Sequence, residues 1–392
     1  MVSVEEAKKI VASNVAPGRP LLMPLKEAAG HTVAQGIYAA IDIPAFEQSS
    51  MDGYAIRFQD KNSALTINGE MAAGTPQQLQ LQAGEAVRIF TGAPLPQGAD
   101  TVVMQEKVKL QNKQIIITDT TLKLGSHVRN KGAEIKAGSL AMPAGCYLSP
   151  AAIGFLAGIG IVDVLVYPMP SVSIIVTGKE LQKPGNDLLA GQVYESNSYS
   201  LTAALQQAGI KKILIYQVDD ELTIVKNQLD VALANSDIIL LTGGVSVGDY
   251  DFVVEATRLC GIQQQFHKVK QKPGKPLYFR TKNNKLIFGL PGNPSSVLSC
   301  FYNYVLPAIE LSAHKKNSVQ TVEAKLAKDY PKPTGLTQFL KGAYSNGAAM
   351  PLSAQESFQL SSFAQADCLI SLEEAHGDYL AGELVQVLLL PR

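Results

Sequence analysis

The chain has 392 residues, and its 34 Lys and Arg balance 34 Asp and Glu, so the formal net charge is zero. That length favours roughly two to four domains with cores of their own, and the charge balance supplies no long-range field for nucleic acid or anionic lipid. No apolar stretch reaches the roughly 18 residues of a membrane span, and with only five histidines and no HExxH zinc hydrolysis is not expected.

In chain order, residues 2–15, VSVEEAKKIVASNV, are acidic and amphipathic, which predicts a helix rather than a secretory signal. Ser3 and Glu6 have capping-box spacing. Residues 41–57, IDIPAFEQSSMDGYAIR, lack periodicity, and Pro44 with the serines marks a loop. From Ala64 to about Ile135 the short pieces ALTI, EAVRIF, DTVVMQEKV and QIIIT are broken by Gly, Pro and Asn, the texture of a small β domain. SPAAIGFLAGIGI then offers Ser149 as N-cap and Pro150 at the first helical position. Since the β-rich block lies between this helix and the N-terminal one, it is expected to be inserted between two halves of one domain.

From Ser171 strands and helices alternate: SVSIIVT, SLTAALQQAG, KKILIYQV, ELTIVKNQLDVALAN, DIILLT and DFVVEATRLC. Such βαβ order predicts a parallel sheet with helices on both faces. The pair QQFHKVK and PLYFR flanks QKPGK, and KLIFGL leads into a helix, PSSVLSCFYNYVLPAIEL. After about Ser318 short β segments return, predicting a C-terminal β domain. Cys146, Cys260, Cys300 and Cys368 stand far apart with no CxxC pair, so they are expected to be reduced, mostly buried thiols of a cytoplasmic protein. His127 and His267 lack a ligand-spaced partner.

Chemistry is expected where loops leave the carboxyl ends of parallel strands, since these share one edge. Three such loops are TGKEL, TGGVSVGDYD and LPGNPSS. Gly243 and Gly244 let the backbone approach an anion, and successive N–H groups there can form a nest. The same residues also suit a tight turn with an aspartate capping the next helix. Glu180, Asp249 and Asp251 are hard oxygen ligands suited to Mg²⁺. Lys272 and Lys275 are point charges held by a Pro-Gly turn, although a basic surface hairpin reads the same way. Pro291 and Pro294 fix the backbone before a helix, with Asn293 as N-cap. In the β-rich half, SSMDGYAIR offers Ser49, Ser50 and Asp52, and TGAPLPQGADTVVMQE offers Thr91 and Glu106.

The ordered set SSMDGYAIR, RIFTGAPLPQGADTVVMQE, VRNKGAEIKAGS, TGKEL, TGGVSVGDYD, KPGKP and LPGNPSS resembles the MoeA-type molybdopterin molybdenumtransferases and the gephyrin E domain. The resemblance runs from the N-terminal helix to the C-terminal β domain. It implies a multidomain α/β protein: residues 1–43 with 139–168 as a mixed N-terminal dimerisation domain, 44–138 as the β-rich insertion, 169–315 as a three-layer α/β molybdopterin-binding domain and 316–392 as the C-terminal β domain. It implies Mg²⁺-dependent insertion of molybdate into adenylylated molybdopterin with release of AMP, by a cytoplasmic homodimer whose site lies between subunits, with contact to other cofactor-synthesis proteins and none to nucleic acid or membrane.

Carried onto matching positions, Asp52, Thr91, Glu134, Glu180 and Asp251 would be catalytic. Gly243, Gly244, Ser246, Gly248, Asp249, Lys272, Lys275, Pro291, Pro294, Asp219 and Asp220 would bind substrate, and Glu180, Asp249 and Asp251 would hold the metal. The chain departs from the family at TGKE, where Lys179 replaces a common carboxylate, and at GAE, where Ala133 and Glu134 replace Glu-Asp. Other readings are an adenylylating nucleotide transferase, which needs only the α/β unit, and a non-catalytic molybdopterin-binding scaffold, for which no receptor-binding tail is visible.

Overall fold

The computed structural model describes every residue except 77, 244–251 and 392. The chain divides into two units: Met1–Leu21 with Gly30–Thr32 and Val166–Arg392, and Leu22–Ala29 with Val33–Leu165.

The second unit is built on six strands: β1 Gly53–Ile56, β2 Leu65–Met71, β3 Glu85–Ile89, β4 Thr101–Met104, β5 Val108–Gln111 and β6 Gln114–Ile117. Their order is β4-β1-β3-β2-β6-β5. Successive side chains of a strand point to opposite faces, and here both faces are covered. Tyr54, Ile56, Ala86 and Val103 enter one core with Leu65 and Ile115. Ala55, Val87, Ile89 and Val102 enter the other with Met71 and Leu81. Burial on both sides is why EAVRIF and DTVVM read as apolar runs rather than as strict alternation. Farther along, Ser149 accepts from the Ala152 amide and Pro150 opens the helix Pro150–Gly158, as their spacing predicts.

The first unit contains a mixed sheet of β7 Val172–Thr177, β8 Ile213–Val218, β9 Ile238–Thr242, β10 Gln263–His267, β11 Tyr278–Lys282 and β12 Lys285–Leu290, in the order β8-β7-β9-β12-β11-β10. The pairings β8–β7, β7–β9 and β9–β12 are parallel, whereas β11 is antiparallel to both β12 and β10. Thus β10 runs in the direction of the parallel set. Ile174, Val176, Ile238, Leu240 and Phe288 face one layer, which holds Leu201 and Leu205 of the helix Asn197–Gln207. Ile175, Ile239, Leu241 and Ile287 face the other, which holds Val225 and Leu229 of the helix Leu222–Asn235 and Val253 of the helix Phe252–Leu259. Three layers result, as the βαβ pattern predicts.

Two details differ from the sequence expectation. The N-terminal helix Val4–Asn14 closes its capping box, Ser3 Oγ accepting from the Glu6 amide at 3.1 Å. Its Val4, Ala7 and Val11 join the same core as Val269, Val305 and Leu306, and residues 1–21 fall in the unit with the α/β sheet. The predicted continuous helix 294–311 is interrupted by a π-turn, Phe301–Val305, between Pro294–Cys300 and Leu306–Ser312. Pro307 has no N–H for the carbonyl four residues back, and the wider ring, with the Leu306 amide donating to the Phe301 carbonyl, accommodates the gap.

The C-terminal strands are β13 Gln320–Leu326, β14 Thr337–Ser345, β15 Ala348–Pro351, β16 Cys368–Leu372 and β17 Leu384–Leu389. They pair β14–β15–β13–β17–β16 and back to β14, closing a barrel. Closure removes free edges around a core that includes Leu326, Leu340, Ile370 and Val387. Among the described residues no helix is long and apolar enough to cross a membrane.

Candidate functional site

In the first unit, the carboxyl ends of β8, β7, β9, β12 and β10 share one edge of the sheet, with adjacent strands about 4.8 Å apart. Asp219 and Asp220 follow β8, Glu180 follows β7, Gly243 follows β9, Pro291 and Pro294 follow β12, and Lys272 and Lys275 lie in the connection after β10. Gly243 has φ +85°, and a Cβ there would lie 2.1 Å from the Thr177 carbonyl oxygen, so only glycine lets these two loops approach. The Glu180 carboxylate folds back over Gly178, both oxygens 2.9 Å from where a Cβ would stand. At the ends of β7 and β9, Thr177 and Thr242 bury hydroxyls with no partner among the described residues, as does Ser295 in the first turn after Pro294. Such hydroxyls suit the oxygens of a phosphate or molybdate, to which they can donate.

The lysine pair is exposed on a turn whose Gly274 is buried. Residues Gln271–Lys272 pair in parallel with Thr337–Gln338 of β14, so the barrel grips the start of this turn. Asn293 stands at the N-cap position of its helix but makes no capping hydrogen bond. Its Nδ2 donates instead to Ser357 Oγ at 2.7 Å, and the Ser295 amide donates to the Ser357 carbonyl at 3.1 Å. Sequence reasoning missed Ser357, which comes from the barrel 64 residues away. It also missed Asn197, whose Nδ2 donates to the Gly292 carbonyl at 2.8 Å. The signal for Asn197 was a polar run, ESNS, opening a helix on the ligand edge; Ser357 carried none.

In the second unit, the exposed Asp52 carboxylate accepts from both the amide and the hydroxyl of Thr91, each at 2.8 Å. The Thr91 amide, then its hydroxyl, then the charge of Arg88 hold this carboxyl below the usual range. Gly53 is required beside it, since a Cβ would lie 1.9 Å from the Val103 carbonyl oxygen. Arg88, also missed from sequence, donates to the Gly53 carbonyl at 3.0 Å and lies over the Tyr54 and Phe90 rings. Gln105 links Arg88 to Glu106, and its amide is the main cause of the lowered Glu106 carboxyl. The exposed Glu134 donates its amide to the Ile43 carbonyl at 2.9 Å, and no hydrogen bond or ion pair among the described residues joins it to Asp52.

Gly244, Ser246, Gly248, Asp249 and Asp251 lie outside the described residues. Of the three carboxylates expected to hold Mg²⁺, Glu180 alone is therefore described, and no group of three or more His, Cys, Asp or Glu able to hold a metal occurs among the described residues. His127 and His267 take no part in such a group.

The fold defines a multidomain α/β protein in which the loops at one sheet edge carry a close-approach glycine, buried hydroxyls and two exposed lysines. Family comparison makes the class specific. The MoeA N-terminal region (domain I and II) matches residues 2–160, the probable molybdopterin binding domain matches 173–311, and the MoeA C-terminal region (domain IV) matches 323–390. The chain belongs to the MoeA family, and its function lies in molybdenum cofactor biosynthesis. It is 32% identical over 403 residues to the molybdopterin molybdenumtransferase of Haemophilus influenzae, covering 99% of this chain and 98% of that protein. Identity to the Nostoc sp. molybdopterin molybdenumtransferase is 40% over 298 residues, 74% of this chain and 68% of the relative. The crystal structure of the molybdopterin biosynthesis MoeA protein from Pyrococcus horikosii aligns with a TM-score of 0.84 at 29% identity, over 99% of each chain.

Proposed function

We propose that the chain is a molybdopterin molybdenumtransferase, which inserts molybdate into the dithiolene of adenylylated molybdopterin in a Mg²⁺-dependent reaction and releases AMP. The observation that carries this reading is the convergence of Glu180, Gly243, Pro291, Pro294, Lys272 and Lys275 on one sheet edge, in a chain matched over nearly its full length by molybdopterin molybdenumtransferases. Both substrates are anions. Lysine ammoniums and buried hydroxyls offset that charge where it develops, and a positioned site of this kind needs no side-chain nucleophile.

In this reading Lys272 and Lys275 bind substrate oxygens, the Gly243 backbone admits the phosphate, and Pro291 and Pro294 hold the wall of the pocket. Asp219 or Asp220 contacts the outer end of the substrate. Asp52 stays ionised beside Thr91, and with Glu134 it faces the substrate of a partner subunit in a homodimer. Glu180, Asp249 and Asp251 would hold Mg²⁺, which when bound would supply Lewis-acid polarisation of the phosphoanhydride. The neighbouring Lys179 places a cation next to Glu180 and is expected to weaken that site. The same reading takes up the four-domain partition and the cytoplasmic location expected from sequence.

The test is incubation with adenylylated molybdopterin, molybdate and a series of Mg²⁺ concentrations, with AMP and mature cofactor measured. Molybdate-dependent AMP release is expected. AMP release that ignores molybdate at every Mg²⁺ concentration overturns the reading.

A further inference from the structure

The turn that presents Lys272 and Lys275 rests on a buried polar group for which the proposed chemistry has no use. Gln271 and Tyr304 are each 1% exposed. Gln271 Nε2 donates to the Gly274 carbonyl at 3.1 Å and contacts Cys300 Sγ at 3.5 Å, and its Oε1 accepts from the Tyr304 hydroxyl. Gly274 has φ +88°, and a Cβ there would lie 2.6 Å from Cys300 Sγ and 2.8 Å from Gln271 Nε2. The turn backbone is therefore seated on both side chains with no room between.

Every polar end of this group is engaged. The amide has a donor partner and an acceptor partner, and the Gln271 backbone is pinned on its other side to Thr337 of β14. The Lys275 carbonyl accepts from the Val269 amide at 3.0 Å. Burial pushes the Cys300 thiol up to about 12 and the Tyr304 hydroxyl well above its ordinary value, so both stay protonated at working pH. Cys300 and Tyr304 bring no charge beneath the turn, and Lys272 and Lys275 are exposed on it. A turn backbone held in one conformation before a ligand arrives lowers the ordering cost of anion capture. Removing the amide would leave the buried Tyr304 hydroxyl without its acceptor and the Gly274 carbonyl with only the Leu277 amide at 3.2 Å and the Cys300 thiol at 3.9 Å, which loosens the turn.

We infer that Gln271, with Tyr304 bonded behind it, is a positioning residue for the anionic substrate: it holds the 272–275 turn in the one shape from which Lys272 and Lys275 meet substrate oxygens together. This rests on the reading that those two lysines contact substrate, and the experiment separates the two claims. Equilibrium affinities for molybdate and for AMP are measured on the full chain, alongside the thermal midpoint. The variants are Gln271→Leu, Tyr304→Phe, Lys272→Ala with Lys275→Ala, and the lysine pair combined with Gln271→Leu.

Gln271→Leu is expected to weaken the lysine-dependent anion by about tenfold and Tyr304→Phe by about threefold. In the background lacking both lysines, Gln271→Leu should cost no further affinity, because residues acting through the same contact are not additive. A merely structural glutamine would lower the midpoint and leave affinity unmoved. The inference is overturned if the lysine variant loses affinity while Gln271→Leu and Tyr304→Phe bind as wild type, or if the two losses multiply in the combined variant. If the lysine variant itself binds both anions normally, the lysine reading falls and takes this inference with it. Should Gln271→Leu fail to fold, Tyr304→Phe, which deletes a single hydroxyl, supports the same comparison in the same two backgrounds.

Discussion

Asp52 and Thr91 are separated by 39 positions, and their contact is made by strand pairing: Gly53 lies opposite Ile89 in the β1–β3 ladder, which carries the residues just beyond each strand into one turn. A carboxylate that accepts two hydrogen bonds is favoured in its charged form. Its folded value is lowered, so the charge survives to a more acidic pH than that of an ordinary aspartate. Thr91→Val removes the hydroxyl and keeps the amide, and it should move the acid limb of the pH–rate profile toward higher pH; a limb that stays put would detach Asp52 from turnover. Asp52→Asn should lower kcat by about 100-fold, the scale of losing one electrostatic contact to the reacting group. The sequence motifs pointed to both residues. Arg88, which backs them, was invisible because a lone arginine in an apolar strand has no spacing to betray it.

The loops at the ligand edge are braced by an element of quite different texture. Lys341 of β14 is 2% exposed, and its Nζ donates to the carbonyls of Ala354 at 2.7 Å, Glu356 at 3.2 Å and Gln359 at 3.0 Å. This clasp shapes the loop that delivers Ser357 to Asn293 and Ser295. Lys341→Met fills a similar volume but removes three hydrogen bonds, leaving the Ala354 carbonyl with Ser362 Oγ and the Glu356 carbonyl with the Gln359 amide, so a loss of about 2 kcal/mol is expected in denaturant unfolding. Turnover should fall with it, since the wall holding Pro291 and Pro294 loosens. The strands behind the edge were readable as apolar runs between glycines, and so was the carboxyl-end location of three loops. The brace was not, because nothing along the chain distinguishes Lys341 or Ser357 from a solvated side chain until the barrel closes around them.

Across the whole molecule charge is balanced, yet its titration is uneven. In the unit of residues 33–165, Asp42, Asp52, Glu85, Glu106 and Asp119 are all lowered, chiefly by hydrogen bonds from Ala137, Thr91, Gln82, Gln105 and Thr121 respectively. A depressed carboxylate contributes stability above its unfolded value and loses it as pH falls through the folded one. Amide protection of β1–β4 against hydrogen exchange should therefore hold level from pH 7 to about 5 and decline below about 4. Protection that is flat to pH 2 would mean that these bonds contribute nothing to that unit.

What the sequence determined by itself were the quantities that reside in neighbours along the chain. The capping box at Ser3 and Glu6, the Ser149–Pro150 helix start, the βαβ alternation and the motifs that marked the family all depend on residues within a turn or a strand of one another. Only the tertiary structure decided what depends on chain-distant contact. The N-terminal helix went to the α/β core because its Val4, Ala7 and Val11 face found Val269, Val305 and Leu306 there. The C-terminal strands became a closed barrel because β16 returned to β14. The lysine turn acquired a floor because Gly274, Cys300 and Tyr304 met around one buried amide. Local propensity has a reach of a few residues, whereas packing and the pairing of buried polar groups are settled only when distant segments compete for the same space.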